Sequence, residues 1–205
     1  MNTIEAITEI LKREGVKYLP CFPTTPVIEA AALGGIRPIV CRQERVGVGI
    51  ADGISRVSNG DQMGVFAMQY GPGAENAYAG IASAFSDSVP LLLLPLGHPR
   101  ERAGIAPHYS SLKGYAEITK AIEQVNAPNR TSDIMRRAFA GLRQGRGGPM
   151  AVEIPADIAL EDVSEESFYY VASRPVASQG NPGDIQAAAK ALCAAHFPVI
   201  MAGQG

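Results

Sequence analysis

A carboxylate at the junction of a short apolar run and a small-residue helix is the group in this chain with the clearest chemical potential. Glu44 lies in RQERVGVGIADGISR, residues 42–56, directly after GIRPIVC. Set at a helix start and screened from water by Val46, Ile50 and the neighbouring strands, such an acid can hold a proton and share it with a ring nitrogen. Left exposed and paired with Arg42 or Arg45, it is only a favourable charge at a helix N-terminus. His108, in the irregular segment APHYSS, is the second acid–base candidate by location, with a solvated surface histidine as its alternative. Gly71-Pro72-Gly73 puts glycine where backbone N–H groups can approach an anion. The run fits neither GxGxxG nor a Walker loop, Pro72 removes a donor, and Glu75 would repel phosphate, so it reads as a tight turn before a packed helix.

These residues need a scaffold, and the sequence alternates short apolar runs with helical patterns, as repeated β-α units do. Residues 16–22, 36–41, 63–69, 89–97 and 150–158 read as strands. Helices are expected at 4–14, over TPVIEAAAL, at 42–57, after the Gly71 turn, and at 132–143 with Ser132 as its cap. Residues 116–125 fit a short helix or a strand, and 99–114 is a polar, irregular loop suited to function. The fold class expected is α/β, an open doubly wound parallel sheet with helices on both faces. Its turns CFPTTP, RQE and QYGPGAEN then fall at the carboxyl ends of strands, where such sheets hold ligands. Residues 1–160 form this domain, 161–184 have the acidic, Pro/Gly/Ser-bearing composition of a linker, and 185–205 read as a helix, a strand and a Gly-rich turn opening a further, truncated domain.

Composition removes several classes of function. With 18 basic and 20 acidic residues the net charge is −2, which argues against a nucleic-acid footprint or a polybasic membrane surface. The longest apolar stretch, VPLLLLPL at 89–96, is far short of the roughly 20 residues of a membrane span, and the N-terminus is a charged amphipathic helix. A cytoplasmic protein is expected, with Cys21, Cys41 and Cys193 as buried reduced thiols. The scattered His98, His108 and His196 show no zinc-binding spacing.

Taken in order, the motifs resemble the N-terminal pyrimidine-binding domain of the thiamine-diphosphate enzymes of the acetolactate synthase, pyruvate oxidase and benzoylformate decarboxylase group. The family's Arg-His-Glu and Ala-Asp-Gly-Tyr-Ala-Arg correspond to Arg42-Gln43-Glu44 and ADGISR at 51–56. Its Gly-Pro-Gly-Ala-Thr-Asn is similar to Gly71 to Asn76, its Ala-Tyr-x-Asp-x-x-Pro-Leu-Leu to AFSDSVPLL, and its Gly-Pro-Val-x-Val-x-Ile-Pro-x-Asp to GPMAVEIPAD.

The resemblance implies a thiamine-diphosphate-binding fold acting on a 2-oxo acid, by decarboxylation or carboligation. Glu44 would bond N1′ of the aminopyrimidine, with Phe22, Pro23, Pro72 and Asn76 also against the cofactor and His108 handling substrate. Mg²⁺ and the diphosphate would be held by a domain outside this sequence, on the same or another chain, in a dimer or tetramer. A flavin, bound by some relatives, is left open with no residue here to support it. Departures are Cys21-Phe22-Pro23-Thr24 in place of a Gly-x-Pro-Gly turn, Gln43 for histidine, Glu75 for threonine, and Ser110-Ser111 where acetolactate synthases carry Phe-Gln. They leave room for a non-catalytic binding or regulatory module that keeps the fold. A nucleotide-binding Rossmann protein is disfavoured, since no GxGxxG follows a strand.

Overall fold

Apolar runs too continuous for a half-exposed strand decide the sheet. In the computed structural model, which describes residues 1–174 and 178–203, GVFAM and LLLLPLG form strands β3 (Gly64–Met68) and β4 (Leu91–Gly97), buried along their whole length. That is the burial of parallel strands covered on both faces. Side chains alternate between two cores: Val65, Ala67, Leu92 and Leu94 enter one, Phe66, Met68, Leu91 and Leu93 the other. With β1 (Tyr18–Cys21), β2 (Arg37–Val40), β5 (Ala121–Gln124) and β6 (Pro149–Pro155), the sheet has the order β2-β1-β3-β4-β6-β5, every pairing parallel.

Helices cover both faces, as expected. On one side α1 (Thr3–Arg13), α2 (Val27–Leu33) and α6 (Thr131–Arg143) insert Ile7, Leu11, Val27, Ala31, Met135 and Phe139. On the other, α3 (Glu44–Val57) and α4 (Pro72–Ser86) insert Val48, Ala51, Ala77 and Ile81, and Tyr115 follows them from the end of the short α5 (Ser111–Gly114). The approach of α3 to β3 is close enough to exclude side chains: a Cβ on Gly47 would stand 2.2 Å from Phe66 Cε2. Gly49 and Gly53 face open space, so the close packing expected of the whole small-residue stretch rests on Gly47 and Ala51.

Other expectations change. The first strand is shorter than 16–22, and the last stops at Pro155, followed by a 3₁₀ turn at Ile158–Leu160. Residues 121–124 are a strand because β6 offers them a ladder. Within the irregular loop, residues 111–114 make one helical turn. Ser132 is not the cap of α6: the helix starts at Thr131, with Arg130 before it, and the Ser132 hydroxyl is buried without a partner.

The chain divides into two units, Met1–Arg174 and Pro175–Gly205. In the first, residues 161–174 of the linker-like segment pack back on the domain. Tyr170 is buried and its hydroxyl bonds Glu14, which also pairs with Arg143 at 2.5 Å. The second unit holds α7 (Pro182–Ala194), capped by the Asn181 side chain. Residues 198–203 form no strand, since a strand needs a neighbour for its ladder and the described residues of this unit offer none. Residues 175–177 of the linker, and Gln204 and Gly205 of the expected turn, lie outside the described residues. Cys193 is exposed, whereas Cys21 and Cys41 are buried free thiols. Among the described residues no helix is long and apolar enough to cross a membrane.

Candidate functional site

From β1 the chain moves outward to β2, then returns to place β3 on the other side of β1. The helix after β1 covers one face and the helix after β3 the opposite face. The strand ends diverge there, and loops at such a switch point form a ligand crevice. Phe22 stands in it, its N–H bonded to the Ala67 carbonyl at 3.2 Å, with the exposed Pro23 next in the chain.

Glu44 opens α3 at this edge, screened from water as the first expectation has it, though not by Val46. It forms no ion pair with Arg42 or Arg45 among the described residues, and it is 4% exposed. Val46, expected to screen it, is half exposed. The cover comes from the first turn of α4. Asn76 Nδ2 donates to Glu44 Oε2 at 2.5 Å, and Gly73 lies so close that a Cβ there would sit 3.1 Å from Oε1. Oε1 has no hydrogen-bond partner among the described residues, and so is the oxygen free to meet a ligand.

The turn into α4 is built for that approach. Gly71 takes φ +60°, a conformation that costs little only without a Cβ, and Pro72 occupies the first helical position, where its missing N–H is not needed. Below them the Tyr115 hydroxyl donates to the Ala74 carbonyl at 2.5 Å. Burial, reinforced by the charges of Tyr109, Glu153 and Glu44, raises its pKa and keeps it a donor.

His108 belongs to a second cluster at the ends of β3 and β4. Its ring packs tilted against His98 with centroids 4.4 Å apart, and His98 packs likewise against Tyr70 at 4.5 Å. A cleft of about 510 Å³ is lined by Tyr70, Pro72, His98, Arg102, His108 and Tyr109. Pro72 therefore joins the two clusters through the start of α4, while Phe22 and Pro23 are not among the residues lining this cleft. His98 is held below the usual histidine range by burial and then by the charge of His108, with Glu153 opposing.

Glu153 is a buried carboxylate on β6 that accepts from Gln124 Nε2 at 2.6 Å and from the Ser111 hydroxyl. It also fills the space beside Gly97, where a Cβ would meet its Cγ at 2.9 Å. It thus ties β5, α5 and the end of β4 together under the histidines. His98 and Glu153 were not singled out on sequence. The signals were present: a histidine directly after a buried strand in LGHPR, and an acid inside the apolar run MAVEIP. A further depression of about 490 Å³ between α1 and α2, lined by Ile4, Ala30, Leu33 and Leu160 with scattered surface charges, contains neither cluster.

A family model described as "Thiamine pyrophosphate enzyme, N-terminal TPP binding domain" matches residues 1–126. The chain belongs to this family. A probable acetolactate synthase large subunit of Methanocaldococcus jannaschii is 31% identical over the whole of this chain, which covers 36% of that protein. The acetolactate synthase isozyme 3 large subunit of Escherichia coli is likewise 31% identical over the whole chain, covering 37% of that protein. A probable 2-ketoarginine decarboxylase of Pseudomonas aeruginosa is 28% identical over 98% of the chain. The chain therefore spans little more than a third of the length of these curated relatives, the N-terminal part that bears the family's cofactor-binding domain.

Proposed function

We propose that this chain supplies the pyrimidine side of a thiamine-diphosphate active site that cleaves or forms a carbon–carbon bond next to the carbonyl of a 2-oxo acid, in the manner of acetolactate synthases. The observation that carries the reading is the pairing at Glu44: a buried carboxylate at the switch point with one oxygen fixed by Asn76 and the other unpartnered. Such a carboxylate fits a ring nitrogen that can carry a proton, and the absent Cβ of Gly73 lets Oε1 pack against the start of α4. When bound, thiamine diphosphate supplies the electron sink for the pair left by the broken bond.

The chain's own residues have narrower tasks. Glu44 Oε1 holds and returns the proton at N1′ of the pyrimidine, and Asn76 fixes the carboxylate's rotation. Phe22, Pro23 and Pro72 wall the ring, and His108 faces the substrate from the adjoining cleft. Diphosphate and Mg²⁺ fall to residues of another domain, on the same chain or a partner, in an oligomer.

Calorimetry of the full-length protein with thiamine diphosphate and Mg²⁺, followed by turnover assays with 2-oxo acids, tests the reading. Binding in the micromolar range and turnover lost in Glu44→Gln, with folding unchanged, are expected. Absence of binding would favour a non-catalytic module that has kept the fold.

A further inference from the structure

Among the described residues Tyr115 is the largest fully buried side chain. Phenylalanine would meet the packing alone; a buried hydroxyl must also find a partner, and where it finds one is informative. The Tyr115 hydroxyl donates to the Ala74 carbonyl at 2.5 Å, and the Met68 sulfur lies 3.4 Å from the same oxygen. Met68 ends β3 and Ala74 lies in the first turn of α4, so one oxygen joins both sides of the turn over residues 69–71. A helix carbonyl already accepts from the N–H four residues on, so this second bond is not needed to satisfy Ala74. What it fixes is where the turn stands. Gly73 and Asn76, the two residues that hold Glu44, come one before and two after Ala74 in the chain.

Tyr115 has a firm base of its own. Its N–H bonds the Ser111 carbonyl at 2.9 Å, and its carbonyl accepts from Thr119 Oγ1 at 2.8 Å. The Ser111 hydroxyl is tied to the buried Glu153 on β6, which also holds Gln124 on β5. A bonded path thus runs from the sheet through α5 to the turn that holds Glu44. Burial first, then the charges of Tyr109, Glu153 and Glu44, keep the proton on the Tyr115 hydroxyl, so it stays a donor. We infer that Tyr115 is a positioning residue: through the Ala74 carbonyl it fixes the first turn of α4, and with it the rotation of the Glu44 carboxylate. Its effect on cofactor chemistry rests on the role proposed for Glu44. Its effect on the turn does not, and is measured without cofactor so that the two can fail separately.

Tyr115→Phe keeps the ring and removes only the hydroxyl. Tyr170→Phe is the matched control, a second buried tyrosine whose hydroxyl bonds Glu14 on the other face of the sheet. In the cofactor-free full-length protein, amide hydrogen exchange over residues 71–78 is expected to rise about tenfold in Tyr115→Phe and to keep the wild-type rate in Tyr170→Phe. With saturating thiamine diphosphate and Mg²⁺, exchange of the cofactor's C2 proton should slow about tenfold in Tyr115→Phe and not in the control. Asn76→Ala should slow it as well, and the double variant should be no slower than Asn76→Ala alone, because both changes act through one contact. Unchanged amide exchange over 71–78, an equal rise in Tyr170→Phe, or slowing that multiplies in the double variant overturns the positioning role. Faster amide exchange in Tyr115→Phe, found alongside wild-type C2 exchange in Glu44→Gln, would keep the anchor and remove the role given to Glu44.

Discussion

Glu44 becomes chemically useful through Gly73 and Asn76, two residues of another helix, and the consequences can be measured at each. In Gly73→Ala the added Cβ meets Gln69 Cγ at 2.5 Å and presses on Glu44 Oε1. Oε1 is the end of its side chain, so the carboxylate turns away while the Gln69 chain shifts. Thiamine diphosphate affinity, measured by calorimetry, is expected to fall about tenfold or more, with a stability loss of about 1–3 kcal/mol. Unchanged affinity would mean that the position of the Glu44 carboxylate against Gly73 does not govern cofactor binding. At His98 the groups in play are His108, Tyr70, Glu153 and Arg102. Burial, then the neighbouring histidine, lowers its pKa, so the folded protein binds fewer protons there than the unfolded chain. Its contribution is therefore flat above the unfolded value of about 6.5 and becomes destabilising as pH falls through that value. Nuclear magnetic resonance should place the His98 midpoint below 6.5, and a midpoint above it would contradict the packing described.

At the scale of elements, the contact of α3 with β3 sets where Glu44 stands. Gly47→Ala puts a Cβ 2.2 Å from a fully buried Phe66 ring, so α3 must shift. Thermal or denaturant unfolding should show a loss of about 1–3 kcal/mol, whereas Gly49→Ala, facing open space, should be neutral or slightly stabilising. This asymmetry shows what was legible in the sequence. The strands and their parallel order class followed from apolar runs such as LLLLPLG, because burial on both faces leaves no alternation. Which glycines pack was not legible, since Gly47 and Gly49 differ only in the direction they face. The cover over Glu44, expected from Val46, Ile50 and the neighbouring strands, includes α4, its neighbour in space, and not Val46, its neighbour in sequence. His98 and Glu153 escaped for the same reason: each is unremarkable alone, and only the β4–β6 pairing brings the loop of His108 over both.

At the scale of the molecule, the proposed function gives the two clusters parts of one task. The Glu44 pair faces the switch point between β1 and β3, and the histidine cleft opens at the ends of β3 and β4, with the start of α4 between them. The proposed function puts a cofactor ring on one side of that turn and a substrate on the other. The Glu14–Arg143–Tyr170 cluster fastens the chain beyond β6 to α1 and α6, remote from these residues in sequence and on the other face of the sheet. The central claim is that Glu44 moves a proton on the pyrimidine and thereby activates the bound cofactor. Exchange of the C2 proton of thiamine diphosphate with solvent deuterium, followed in the full-length protein with Mg²⁺ for wild type and Glu44→Gln, tests it most directly. The variant should bind the cofactor yet exchange more slowly by about 10² to 10⁴, the range for a lost acid–base group; exchange at the wild-type rate would contradict the account.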